Sequence, residues 1–288
     1  EPAGDAGFMV ETARKMYHEI SPETGEFIDF MIDHQLMDLE NKPGKASTGY
    51  MTSLPSLKAP FVFSCFNHTI FDMQVLTHEL GHAFAGYMAM RSQPISDYYS
   101  ETTDIAEIHS MSMEQFAYPY AEWFFGDQAD KFRFAHLQEA LTFVPFGVAV
   151  DEFQHICYAD PQLTPKERTY QWRLLEEKYM PWRKYDSDAF MERGGYWYHK
   201  LHIYLYPFYY INYTLTTMGA MEFKKKYAED KAAAWQDYLK LCKTGGSRSY
   251  LETLRYANLA NPFEAGSVAR ACGYAEDILL RQLAEQEK

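Results

Sequence analysis

The stretch Val75-Leu76-Thr77-His78-Glu79-Leu80-Gly81-His82-Ala83-Phe84 carries the pattern H-E-x-x-H inside an apolar run. On a helix, positions i and i+4 lie on one face about one turn apart. Two imidazoles so placed can both reach a Zn²⁺ ion at about 2.0–2.1 Å. Glu79 stands beside the first histidine and projects to the side of the metal. There it can meet a metal-bound water without ligating the ion. The pattern also arises by chance in chains of this histidine and glutamate content. Its flanks weigh against chance: Val75, Leu76, Leu80, Ala83 and Phe84 put the motif on a buried helix, where an unpaired His–Glu–His group would be costly.

A catalytic zinc with two histidines needs one more protein ligand and an open position for water. Glu107 is the expected third ligand. It lies 29 residues after His78, enough for one helix to end, turn and return alongside. Ile105, Ala106 and Ile108 make its surroundings apolar, which is unusual for a solvated acid. Glu101 and Glu114 compete for the role. His109 lies two positions on and faces away around the same helix.

Outward from the motif, most of the chain reads as helix. Ser21-Pro22-Glu23 opens one with an N-cap, a proline in the first turn and an acid, and Asn41-Lys42-Pro43-Gly44 is expected to end it. Further helices are expected over roughly 72–91, 102–125, 130–157, 165–180, 196–218, 220–243 and 264–286, with ends uncertain by about 2–4 residues. Thr244-Gly245-Gly246-Ser247 and Asn261-Pro262 are breaks. Pro60 to Phe66 is short, β-branched and aromatic, and reads as a strand, with Tyr50 to Leu57 as its partner. An exposed edge near Val62 to Phe66 could pair with an extended peptide. The expected fold is mainly α, one region over residues 1–288 with a small β-sheet beside the H-E-x-x-H helix.

Composition narrows the function. With 47% hydrophobic and 23% charged residues the chain is a globular candidate. The net charge of −13, from 27 basic and 40 acidic residues, argues against nucleic acid as a partner, because phosphate binding needs clustered lysine and arginine. No apolar run approaches the roughly 20 residues needed to cross a bilayer, so no membrane partner is expected. No signal-peptide pattern opens the chain. Its first residues, Glu1-Pro2-Ala3-Gly4-Asp5, include no Met, so a chain that is processed, truncated or excised from something longer is expected. Cys65, Cys157, Cys242 and Cys272 lie far apart and form no C-x-x-C pair, which fits reduced thiols in a cytoplasmic protein.

One further segment is dense in phenols and imidazoles, from Trp197 to Tyr213. Hydrolysis of a peptide by zinc develops negative charge on the former carbonyl oxygen, and donors beside the metal stabilise it. A tyrosine suits this, since its pKa of about 10 keeps it a donor at neutral pH. Tyr206, Tyr210 and Tyr213 follow one another at +4 and +3, one face of a helix. Pro207 can distort that helix, Tyr209 competes, and an aromatic core cluster is the alternative.

Taken together, these residues resemble the oligoendopeptidase F branch of the thimet oligopeptidase family of zinc metallopeptidases. The resemblance runs through Met16-Tyr17-His18-Glu19-Ile20-Ser21-Pro22-Glu23, Gly49-Tyr50, Ser64-Cys65-Phe66-Asn67-His68-Thr69, His78 to Phe84, Asp104-Ile105-Ala106-Glu107, the tyrosine-rich stretch after Gly194-Gly195, and Gly245-Gly246-Ser247. It implies an almost wholly helical, zincin-like shell around a deep channel that admits short peptides. It implies one Zn²⁺ per chain on His78, His82 and Glu107, with Glu79 as base. His202, Tyr206, Tyr210 and Tyr213 match the residues that bind substrate and stabilise the transition state. Members of that family are longer, so the chain corresponds to a C-terminal catalytic half, with the N-terminal lobe absent. The implied activity is endopeptidase action on oligopeptides. The alternatives are a helical zinc carboxypeptidase, which needs a cationic group for the substrate's C-terminus, and a truncated peptide-binding region without activity.

Overall fold

The computed structural model describes residues 3–46 and 48–286. These fall into two compact units, Glu1–Leu137 together with Met218–Lys288, and Gln138–Thr217. The fold is mainly α with a small three-stranded sheet.

In the first unit, α1 (Ala6–Ile20) and α2 (Pro22–Asp33) meet at Ser21. The Ser21 hydroxyl accepts from the Thr24 N–H at 3.1 Å while the Thr24 hydroxyl accepts from the Ser21 N–H, so each end of the turn caps the other. The helix opened here stops at Asp33, well before Pro43. Gln35 takes a left-handed φ of 53°, and Met37–Glu40 then forms strand β1. Strands β2 (Tyr50–Leu54) and β3 (Ala59–Phe66) follow. The order is β1-β3-β2, with β1 parallel and β2 antiparallel to β3. The expected strand is thus present, but it is central rather than an edge; the edge on the later side is β2. Val62, Ser64 and Phe66 alternate inward along β3.

Next come α3 (Phe71–Ser92) and α4 (Thr103–Phe116). The latter is shorter than expected because Pro119 interrupts the pattern. A 3₁₀ turn at Tyr118–Tyr120 and α5 (Ala121–Phe125) continue from it. Helix α6 (Ala129–Ala159) starts in this unit.

The second unit holds the rest of α6, α7 (Pro165–Tyr179), α8 (Ala189–Glu192), α9 (His202–Leu205) and the start of α10 (Ile211–Glu229). Its own core is built from Phe146, Phe153, Trp172, Leu175, Trp197 and Tyr210. Back in the first unit, Asp230 accepts from the Ala233 N–H at 3.0 Å. It caps α11 (Lys231–Thr244), which splits the single helix expected over 220–243. Helices α12 (Tyr250–Tyr256) and α13 (Ser267–Gln286) complete the chain. Gly245 ends α11 with φ 48°, and a Cβ there would sit 2.0 Å from the Tyr98 carbonyl oxygen, so only glycine fits.

Helix α3 is buried on nearly every side, against β2, β3, α4 and α11. Phe84 on α3 stacks near Trp235 and Tyr238 of α11 at 5.8 and 6.2 Å between ring centres. No helix of the described residues is long and apolar enough to cross a membrane.

Candidate metal centre

The start of α3 is fixed by Asp72, whose carboxylate accepts from the Asn67 and His68 N–H groups at 3.0 and 2.7 Å. This ties the exit of β3 to the first turn of the helix. Two turns later the helix presents His78, Glu79 and His82. The two imidazoles stand edge to face, 4.9 Å apart and 83° between planes.

Helix α4 comes alongside at Gly81. A Cβ there would lie 2.7 Å from Ser110 Cα and 3.1 Å from the His109 carbonyl oxygen. The missing side chain lets the two backbones approach, and that brings Glu107 to the histidines. Its Oε2 is 3.2 Å from Nε2 of His78 and 3.5 Å from Nε2 of His82. The ligand atoms of the three residues all lie within 4.8 Å of one another. Ligands at about 2.0–2.1 Å in a tetrahedral zinc site stand about 3.3 Å apart, so this donor set fits Zn²⁺.

The electrostatics fit as well. Burial lowers the proton affinity of His78, but Glu107 and Glu114 outweigh it and hold this imidazole well above its ordinary range. Burial raises Glu107, yet the hydrogen bonds and charges of His78 and His82 carry it far below the usual carboxylate range. The cluster therefore attracts positive charge, which a metal cation would supply while displacing the proton.

Glu79 is 7% exposed. Burial raises its proton affinity and the two histidines oppose that. Its Oε2 is buried with no partner among the described residues. Its Oε1 lies 3.1 Å from where a Cβ on Gly49 would sit, beside the start of β2.

The competing acids have other partners. Glu101 pairs with Nδ1 of fully buried His109 at 2.9 Å. Glu114 Oε1 lies 2.6 Å from Nδ1 of His78, behind the ring, and its Oε2 lies 2.5 Å from Nε2 of His136. His136 has no motif spacing to any of these residues. Its only mark in the sequence is a polar residue one turn after Phe132 on a helix face that is otherwise apolar.

Within the second unit, the tyrosine-rich segment departs from the expected continuous helix. A 3₁₀ turn covers Gly195–His199, α9 is four residues long, and α10 starts at Ile211. Pro207 and Phe208, with φ 59°, break the pattern between them. His202 still gathers the rings, with Tyr206, Tyr209, Tyr210 and Tyr213 centred 5.1–6.1 Å from it. Tyr209 and Tyr213 hydroxyls are 3.4 Å apart. Tyr206 is 55% exposed, whereas Tyr210 is 5% exposed in the unit's core, where burial pushes its phenol up. The three tyrosines thus share a cluster but not one helical face.

The chain is similar to known proteins along most of its length. A 25% identical relative, an oligoendopeptidase F homolog of Borreliella burgdorferi, aligns with 78% of this chain and 38% of its own length. The solved structure of PZ peptidase A with an inhibitor is 50% identical with a TM-score of 0.89, over 97% of this chain and 50% of that one. A protein assigned as oligoendopeptidase F from Bacillus anthracis is 44% identical with a TM-score of 0.83, over 97% and 47%. The chain spans half the length, or less, of these relatives. The model of peptidase family M3 matches residues 12–272, and the chain belongs to that family.

Proposed function

We propose that this chain is the catalytic region of a zinc-dependent endopeptidase of the H-E-x-x-H type, acting on short peptides with one Zn²⁺ per chain. The observation that carries the reading is the convergence of His78, His82 and Glu107 beside a buried glutamate oxygen that has no partner among the described residues. Bound there, Zn²⁺ would polarise the scissile carbonyl and acidify an attacking water. Glu79 takes the proton of that water and hands it to the leaving amine.

Strand β2 pairs with β3 and, among the described residues, with no other strand, so its outer edge can accept an extended peptide backbone. Such a peptide would pass Gly49 next to Glu79. Backbone pairing reads no side chains, which favours broad specificity. His202, Tyr206, Tyr210 and Tyr213 are the donors to the developing oxyanion in this reading, on the chemistry of phenol and imidazole. Residues 1–288 form one catalytic region of a longer peptidase, a reading supported by the half-length match to relatives. Its four free cysteines fit a cytoplasmic location.

The test is zinc content measured with peptide cleavage in the wild type and in His82→Ala and Glu107→Gln. Both variants should lose stoichiometric zinc and turnover together. A wild type that cleaves peptides at full rate after complete zinc removal would overturn the reading.

A further inference from the structure

Behind His78, on the side away from Glu107, runs a second line of buried polar groups. Glu114 sits between His78 and His136, and Nδ1 of His136 lies 2.7 Å from the Tyr118 hydroxyl. Glu114, His136 and Tyr118 are all buried. We propose that His136 and Tyr118 are positioning residues that, through Glu114, hold His78 in the tautomer and orientation that metal binding requires. The inference rests on the zinc reading above.

The direction of every proton in this chain follows from what each group can do. An ionised carboxylate only accepts. Each oxygen of Glu114 faces one ring nitrogen, Oε1 that of His78 at 2.6 Å and Oε2 that of His136 at 2.5 Å, the arrangement of a carboxylate between two N–H donors. Both facing nitrogens must then donate: Nδ1–H of His78 to Oε1, and Nε2–H of His136 to Oε2. The other nitrogen of His78, Nε2, faces His82 and Glu107, where a bound metal would take the place of its proton. With the Nε2–H of His136 directed to Glu114, the Nδ1–H-free tautomer presents its Nδ1 lone pair to the Tyr118 O–H, which donates to it. The other acceptor within reach of that hydroxyl, the Arg133 carbonyl, is 3.4 Å away, too long to compete with 2.7 Å.

The far end of the line is held firmly. The His136 ring stacks on Phe132, 5.6 Å between centres and 8° between planes. The Arg133 guanidinium donates twice to the Tyr118 carbonyl at 3.0 and 2.9 Å. The Lys224 ammonium sits 3.4 Å over the Tyr118 ring. Without His136, Oε2 of Glu114 would be a buried anionic oxygen with no donor. The carboxyl group would rotate or take up a proton, and either change removes the fixed acceptor behind His78.

The experiment uses the 288-residue chain with His136→Leu, His136→Gln and Tyr118→Phe. Zinc affinity is measured by chelator competition, the cobalt-loaded visible spectrum is recorded, and ¹⁵N NMR reports histidine tautomers in the metal-free protein. His136→Leu should weaken zinc binding by about 10- to 100-fold and shift the cobalt spectrum, the range seen when groups behind metal ligands are removed. His136→Gln keeps an N–H for Glu114 and should recover most of that loss. Tyr118→Phe should bind zinc a few-fold more weakly and let His136 mix its tautomers, where the wild type holds the Nε2–H form alone. A merely structural role predicts a lower melting temperature with zinc affinity and cobalt spectrum unchanged, and that result overturns the proposal. If His136→Leu does not fold, unchanged affinity and an unchanged tautomer in Tyr118→Phe overturn it equally. If His82→Ala leaves zinc affinity intact, the metal assignment fails instead, and the tautomer of His136 in the metal-free chain still decides the positioning claim.

Discussion

His78 in the first unit and His202 in the second are both candidate site imidazoles, and their surroundings act on them in opposite directions. Two carboxylates flank His78 and hold its proton affinity well above the ordinary value against the pull of burial. Burial lowers that of His202, and the Lys200 charge lowers it further, within a ring of phenols. The first environment favours positive charge. The second keeps an imidazole neutral among hydroxyl donors.

The widest break in that comparison comes from the group that needs neither a partner nor a ligand bond. Glu79→Gln keeps shape and burial but cannot take the water's proton. Zinc should be retained while kcat falls on the order of 10³-fold or more. Parallel zinc analysis and single-turnover assays check this; near-normal rates with bound zinc would remove Glu79 as the base.

A smaller effect separates the tyrosines. If one phenol donates to the oxyanion, its Tyr→Phe variant should lose about 10²-fold in kcat with zinc content unchanged. Tyr206 is exposed and Tyr210 is in a core, so the two failures would look different. A core role for Tyr210 shows as a lower melting temperature with an unaltered rate per folded molecule. For Tyr206→Phe no stability change is expected, and a rate loss there would be functional.

These contrasts track how much of each region could be read in the sequence. The grouping of His78, His82 and Glu107 was legible in the sequence. An i, i+4 pair on a helix fixes two donors whatever surrounds it, and apolar neighbours marked Glu107 as an acid out of place. The tyrosine face failed as a helical face because spacing assumes an unbroken helix. Pro207 removes a backbone donor, and Phe208 adopts a left-handed φ of 59°. Strand β1 was missed because Met37–Glu40 is a four-residue strand that follows a helical pattern directly, so only its pairing with β3 marks it. His136 left no periodic signal, since its partner Glu114 lies on another helix and the contact is purely tertiary.

Helix packing offers a way to test how rigid the first environment must be. Gly81→Ala would place a methyl group 2.7 Å from Ser110 Cα. The backbone cannot yield as a flexible side chain would, so α3 and α4 must separate. Overpacking of this kind costs about 1–3 kcal/mol. A urea titration should show the stability loss, and chelator competition should show weaker zinc binding, because Glu107 moves away with α4. Lost stability with wild-type zinc affinity would mean that the ligands tolerate the shift.

The finest test concerns the charge that sets the second environment. Lys200 lies beside His202, and half-burial together with the charge of Arg183 lowers its own proton affinity. Its ammonium also sits 5.1 Å over the Tyr210 ring, so it belongs to the aromatic cluster rather than to bulk solvent. Burial is the larger cause of the His202 shift and Lys200 the smaller. Lys200→Met keeps the apolar stem and removes the charge, so the His202 pKa should rise part of the way back toward about 6.5, the ordinary value for histidine. The sign for stability follows from proton counting. A histidine whose folded pKa is depressed binds fewer protons folded than unfolded, so its contribution is complete above the unfolded pKa. It is lost as pH falls from there through the folded pKa, and the variant should lose less across that window. An NMR titration of His202 in both proteins, with melting temperatures at matched pH values, measures the two consequences independently. If the pKa does not move, burial among the phenols alone keeps His202 neutral, and the opposition to His78 rests on desolvation against charge rather than on charges of opposite sign.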